Sequence, residues 1–288
     1  MSNPQATVNK LLTWSSVDGP GNRLVLFLQG CNFACAACHN PYTIGVCNDC
    51  GDCLPVCEPR ALTMQGGRVK FDADLCTQCD KCTDICPISA SPMVRRMSVD
   101  QVIATIRDHA HFLTGITVSG GEATMQLKFL TALFAAMGED PALSNLTRFV
   151  DTNGHLGAKG WARLMPVMDG AMLDIKALDP ALHRDLTGQE LDKTLRAARL
   201  LKDAGKLFEL RYLLVPGVTD KPDQITTLID FTRSLGGQTR IRLNAFQHHG
   251  VRGHALDWPP MQRAGVEAVA DRLRAADTGE VATPALYL

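Results

Sequence analysis

At 288 residues and 45% hydrophobic, with no long polar tract, the chain can bury a full α/β core and carry a large domain plus a small one. Its 29 basic and 30 acidic residues give a formal charge of −1 and are dispersed, which leaves no electrostatic footprint for nucleic acid or a membrane surface. The opening Met1-Ser2-Asn3-Pro4-Gln5-Ala6 lacks the basic and apolar regions of an export signal. No stretch approaches the roughly 18 to 20 apolar residues of a membrane helix, so a cytoplasmic protein with small-molecule or protein partners is expected.

The cysteines depart from this ordinary composition. There are 11, all between Cys31 and Cys86. A disulfide scaffold would call for export and an even count, so dense cysteines at two- and three-residue spacing are expected to be metal ligands.

In chain order, the turn Asp18-Gly19-Pro20-Gly21 precedes the apolar run Arg23-Leu24-Val25-Leu26-Phe27-Leu28-Gln29, which reads as a buried, parallel strand. A loop carrying Cys31-x3-Cys35-x2-Cys38 leaves its C-terminal end, and His39-Asn40-Pro41 closes it. Three thiolates leave a four-iron cluster one ligand short, and an iron without a protein ligand can bind something from solution.

From about Gly45 to Ala90 the composition shifts to Cys, Asp, Pro and Gly, the mark of an inserted module. It holds Cys47-x2-Cys50-x2-Cys53-x3-Cys57 and then Cys76-x2-Cys79-x2-Cys82-x3-Cys86-Pro87. This is the spacing of a two-cluster bacterial ferredoxin, where the fourth cysteine of each run ligates the other cluster. It assigns Cys47, Cys50, Cys53 and Cys86 to one [4Fe–4S] cluster and Cys76, Cys79, Cys82 and Cys57 to a second. A pair of structural zinc sites is the alternative. With the three-cysteine loop, the assignment uses all 11 cysteines.

Ser98-Val99-Asp100-Gln101 reads as a capping box opening a helix with Val99, Val102, Ile103, Ile106, Ala110 and Leu113 at helical spacing. Strands are then expected at Gly115 to Val118, Thr147 to Val150, Ala171 to Ile175, Leu207 to Val215 and Ile241 to Phe246. Helices are expected near 123–138, 158–168, 190–204 and 221–235. This is the βα repeat of a parallel barrel or a doubly wound sheet. Ser119-Gly120-Gly121-Glu122, Asp151-Thr152-Asn153-Gly154, Asp174-Ile175-Lys176, Pro216-Gly217 and Asn244 to His249 all fall at C-terminal strand ends, where such folds gather their chemistry. Gly120 and Gly121 would let a ligand approach the backbone, Glu122 could accept from an ammonium group, and Lys176 could meet a carboxylate.

Together, C-x3-C-x2-C after the first strand and Gly-Gly-Glu after the second resemble the signature of the radical S-adenosylmethionine enzymes. Within them, Asp18-Gly19-Pro20-Gly21, Gln29-Gly30-Cys31, Cys38-His39-Asn40, Ser119 to Glu122, Asp151 to Gly154, Asp174 to Lys176 and Val215-Pro216-Gly217 resemble the glycyl-radical-enzyme activases, relatives of pyruvate formate-lyase activating enzyme. The two-cluster insert makes the YjjW type the most similar.

The resemblance implies an α/β fold, a partial (β/α)6 TIM-type barrel in residues 1–44 and 91–288, with a ferredoxin-like domain carrying two [4Fe–4S] clusters inserted at 45–90. It implies that the cluster on Cys31, Cys35 and Cys38 binds S-adenosylmethionine and cleaves it reductively. The 5′-deoxyadenosyl radical then takes a hydrogen atom from a glycine of a partner glycyl radical enzyme. Flavodoxin or ferredoxin would be the electron donor, with the insert relaying electrons or helping to dock the partner. Contacts to S-adenosylmethionine are implied for Ala37, Cys38, His39, Gly120, Gly121, Glu122, Asp174, Ile175, Lys176 and Gln247. A monovalent cation is implied near Asp151, Thr152 and Met172, and Asp18 and Arg211 would face the partner's glycine loop. Ala37 stands where relatives often carry an aromatic residue, and Gln247, His248 and His249 share the place of a histidine near the adenosyl group. Two other readings stay open: radical chemistry on a small molecule, and a non-enzymatic electron-transfer or zinc-stabilised binding module.

Overall fold

The structure, a computed structural model, describes residues 3–236 and 238–284. It divides into two compact units. One takes in the chain up to Asn32 together with Asn40–Arg148, and the other takes in Phe33–His39 and the chain from Phe149 on. Among the described residues, no helix is long and apolar enough to cross a membrane.

The first unit holds β1 (Gln5–Ser15), β2 (Arg23–Leu28), a hairpin of β3 (Leu62–Gln65) and β4 (Arg68–Phe71), the short α1 (Lys81–Asp84), β5 (Arg95–Ser98), α2 (Val99–His109), β6 (Gly115–Gly120) and α3 (Leu127–Glu139). Its larger sheet runs β6-β2-β1-β5. β2 pairs parallel with β6, as expected, and Leu24, Val25, Leu26 and Leu28 are fully buried. The antiparallel strands β1 and β5 extend the sheet. β1 escapes sequence reading because the register shifts between Val8 and Lys10 and again between Leu12 and Ser15, which breaks the alternation that marks a strand.

Two local devices fix this unit. The capping box at α2 forms as expected: Ser98 Oγ accepts from Gln101 N at 3.3 Å, and Gln101 Oε1 accepts from Ser98 N at 2.9 Å. Arg23, fully buried, donates to Thr117 Oγ1 at 2.7 Å, Thr147 Oγ1 at 2.9 Å and Pro20 O at 3.1 Å. Thr117 Oγ1 in turn donates to Asp18 O at 2.6 Å. A buried guanidinium with its donors engaged thus pins the Asp18 to Gly21 turn against the sheet.

From Phe149 the second unit continues β7 (Thr147–Thr152) and adds α4 (Ala158–Leu164), β8 (Gly170–Ile175), α5 (Pro180–Thr187), α6 (Asp192–Asp203), β9 (Leu207–Leu214), α7 (Pro222–Ser234), β10 (Ile241–Ala245), α8 (Arg263–Ala275) and β11 (Val281–Ala282). Its strands run β7-β8-β9-β10-β11, each parallel to its neighbours. This is the expected βα alternation. α4 stops at Leu164, short of the expected 168, because a helix does not run through the residue before Pro166. α5 was not anticipated, although Asp179 caps it through Leu182 N at 2.7 Å, Pro180 begins it and Gly188 ends it.

Candidate functional site

In the first unit, the approach to Cys31 is tied at the backbone. Gly30 N donates to Thr43 O and Cys31 N to Ile44 O, both at 2.9 Å. The Gln29 amide donates to Tyr42 O at 2.8 Å and Gly45 O at 2.7 Å, and Gln126 Nε2 donates to Gln29 O at 3.0 Å. Gln126 had no sequence signal; only the meeting of the loops shows its part. The parallel pairing of β6 with β2 continues past the strand ends at this point, with Gly121 N on Leu28 O at 2.9 Å and Glu122 N on Gly30 O at 2.8 Å. A Cβ on Gly120 would lie 2.2 Å from Leu28 N, and one on Gly121 2.3 Å from Gly30 O, so this close approach requires bare backbone. Glu122 is 2% exposed, and its Oε1 accepts from Thr124 N at 2.9 Å, which fixes the carboxylate beside these glycines.

In the second unit, the loop of Cys35 and Cys38 rests on α5. Ala34 N donates to Thr187 O and Ala36 N to Leu186 O, each at 2.9 Å. These carbonyls belong to the last helical turn, whose acceptors have no partner within the helix, so loop and helix end satisfy each other. Phe33, 2% exposed, meets the rings of His155 at 5.4 Å and His183 at 5.6 Å edge-on. Burial holds both imidazoles below their ordinary pKa, hence neutral at pH 7.

Lys176 Nζ lies 2.8 Å from Asp174 Oδ2. Burial alone would lower the lysine's pKa, but the Asp174 carboxylate that it pairs with outweighs this and keeps the ammonium charged. Cys35 is pushed up to about 11, chiefly by burial and against the pull of Lys176. A thiol so placed gives up its proton only when a metal takes the proton's place. Ile175, between the two polar residues, is 1% exposed and turns its side chain into the core.

Asp151, Met172 and Arg211 meet. The Arg211 guanidinium donates to Asp151 Oδ1 at 3.1 Å, to Met172 Sδ at 2.8 Å and, through Nε, to Glu209 Oε1 at 2.9 Å. Its side chain is 10% exposed, and all three of these bonds are made within its own chain. Glu209, 1% exposed, also accepts from Arg240 Nε at 2.8 Å and Arg242 Nε at 3.0 Å. Burial works to raise the Glu209 pKa, but the three arginines prevail and hold it below the ordinary carboxylate range.

The segment after β10 reaches the other end of the cysteine loop. Gln247 Nε2 donates to Met261 O at 3.2 Å, and His248 Nε2 lies 2.7 Å from Trp258 O, so both are anchored to the 258–261 segment. Burial holds His39, on the cysteine loop, below its ordinary pKa. Gly250, at φ +74°, passes so near His39 O that a Cβ would lie 2.0 Å from it.

In the 45–90 segment the thiols line two hollows. One is lined by Cys47, Cys50, Cys53, Cys82 and Cys86, and the other by Cys57, Cys76, Cys79 and Cys82. The structure therefore brings together each expected crossed set, with Cys82 on the wall of both. Cys53 and Cys82 pack on Leu62, and burial pushes their thiols up to about 11 and about 12. Among the described residues, no three His, Cys, Asp or Glu side chains gather closely enough to share one metal ion.

Comparison with known proteins gives concordant likenesses. The family model of the Radical SAM superfamily matches residues 25–229. The pyruvate formate-lyase-activating enzyme of Streptococcus mutans is 32% identical over 247 residues, which cover 84% of this chain and 78% of that one. The isethionate sulfite-lyase activating enzyme of Nitratidesulfovibrio vulgaris is 30% identical over 263 residues, covering 82% and 84%. Among solved structures, QueE from Escherichia coli superimposes with a TM-score of 0.56 over 97% of this chain and 94% of its own, at 13% identity, a likeness of fold.

Proposed function

The chain belongs to the radical SAM superfamily, and on that footing we propose that it is a glycyl-radical-enzyme activase. The observation that carries the reading is that two relatives, named as activating enzymes of two different lyases, align over 84% and 82% of this chain. S-adenosylmethionine at a [4Fe–4S] cluster would supply, on one-electron reduction, a radical able to take a hydrogen atom from a partner's glycine.

The chain's own residues would divide the work. Cys31, Cys35 and Cys38 would hold the cluster as thiolates. For Cys35 the lost proton is coupled to metal loading, and the Lys176 ammonium makes the buried thiolate less costly. Gly120 and Gly121 would lie against the amino acid end of S-adenosylmethionine, with the oriented Glu122 carboxylate receiving its ammonium group. Asp174 and Lys176, with Ala37, Cys38, His39 and Gln247, would contact the same cofactor. A monovalent cation near Asp151, Thr152 and Met172 would share Asp151 with the Arg211 guanidinium.

We further read the two cysteine-lined hollows as sites for two more [4Fe–4S] clusters, which makes three in all and makes 45–90 a ferredoxin-like module. Two features fit: the donor sets are all thiol, and the buried Cys53 and Cys82 stay protonated unless metal displaces the proton. These clusters would take electrons from a flavodoxin or ferredoxin.

Anaerobically reconstituted protein with a strong reductant is expected to convert S-adenosylmethionine to 5′-deoxyadenosine, and Cys35→Ala is expected to abolish this while the insert keeps its iron. Incubation with a glycyl radical lyase should raise the electron-spin signal of a glycyl radical. Normal turnover by Cys35→Ala would sink the site assignment. Turnover with no such signal on any candidate lyase would favour a small-molecule substrate.

A further inference from the structure

We propose that Met93, outside every cysteine run, covers the hollow of Cys57, Cys76, Cys79 and Cys82 and thereby sets the redox potential of the cluster that hollow takes; this rests on the reading of the hollow given above. Met93 lines that hollow and not the other. Its Sδ lies 3.7 Å from Cys76 Sγ. Its side chain packs on the small apolar core of Cys53, Leu62 and Cys82, with Phe71 and Leu54 beside it.

The cover is held from outside the cysteine module. Met93 N donates to Ser91 Oγ at 3.1 Å, and two residues later the chain enters β5, which pairs with β1. The position of the thioether is therefore dictated by the edge of the larger sheet.

The effect follows from charge. A cubane with four thiolates carries net negative charge and gains more on reduction, and water stabilises the more highly charged form. A polarizable but uncharged thioether keeps water away without offering charge in its place. The covered cluster is thus held to a more negative potential than an open one, which suits a carrier that must deliver electrons to a hard reduction.

The test is potentiometric, on the reconstituted full-length protein, with the three cluster couples followed by electron-spin resonance. Met93→Ala is expected to move one couple to a more positive midpoint, and Met93→Leu, which restores the apolar cover without sulfur, to leave it in place. Ile88→Ala, on the wall of the other hollow, should move a different couple. Three unmoved midpoints in Met93→Ala, or a shift in Met93→Leu as large as in Met93→Ala, would overturn the proposal. Should Met93→Ala fail to hold its iron, Met93→Val is titrated in its place under the same two outcomes. A wild-type count of about four irons per chain in place of about twelve would instead overturn the reading of the hollows, and the proposal with it.

Discussion

Glu209→Gln lowers the stability of the folded chain by about 3–5 kcal/mol, seen as a lower urea midpoint at an unchanged slope. The substitution keeps the side chain's shape and removes only its charge. The guanidiniums of Arg211, Arg240 and Arg242 then lie 2.8–3.0 Å from a neutral group that is 1% exposed. Breaking a buried ion network by one member costs more than the network contributes, because the Arg211 guanidinium, 10% exposed, has already lost most of its water. Arg211 also links Glu209 to Asp151, so the loss reaches the strand-end carboxylates.

The same residue gives a pH signature. Its folded pKa lies below the ordinary value near 4.5, so its contribution is complete above that pH and is lost as the pH falls through the lowered folded value. Wild-type and Glu209→Gln stabilities should therefore differ by a constant amount at neutral pH and converge in acid. Parallel curves down to the acid limit would mean that the three arginines do not hold the carboxylate as described.

Gly121→Ala reduces S-adenosylmethionine cleavage by about 10²-fold or more, a loss much larger than its cost in stability of about 1–3 kcal/mol. The added Cβ would stand 2.3 Å from Gly30 O and 2.7 Å from Thr43 O, both backbone atoms that cannot turn aside. Whatever yields, Gly30 shifts, and Cys31 follows it directly in the chain. Displacing a reacting group by an ångström costs about two orders of magnitude in rate. Timed release of 5′-deoxyadenosine, with iron content and thermal midpoint measured on the same preparation, separates loss of alignment from loss of fold. Activity within twofold of wild type would show that the close approach of Gly121 to Gly30 does not govern the position of Cys31.

The chemistry of this chain was more legible than its scaffolding. Cysteine spacing pointed to two thiol sets that draw on both runs, and the cysteines of each set do line one hollow. The parallel strands were legible because continuous apolar runs such as Leu24 to Leu28 survive burial on both faces. Other features could not be read. The bulges of β1 erased its period, and α5 is too short and too polar for periodicity to mark, leaving only Asp179-Pro180 and Gly188 as signals. The Glu209 network depends on register: Glu209 and Arg211 lie on β9, Arg240 precedes β10 and Arg242 lies within it, and nothing in either segment alone says that they meet.

The hold of α5 on the cysteine loop also bears on the order of events during synthesis. Ala34 and Ala36 find their acceptors in Thr187 and Leu186, about 150 residues further along the chain. The two hollows, by contrast, draw their walls from residues 47–93 alone. On a chain leaving the ribosome at about 5–20 residues per second, the hollows are complete while the loop that precedes them still lacks its support. The walls of the insert's hollows are therefore complete on the nascent chain before Ala34 and Ala36 can find their acceptors in α5, so the first cysteines made are the last to gain their support.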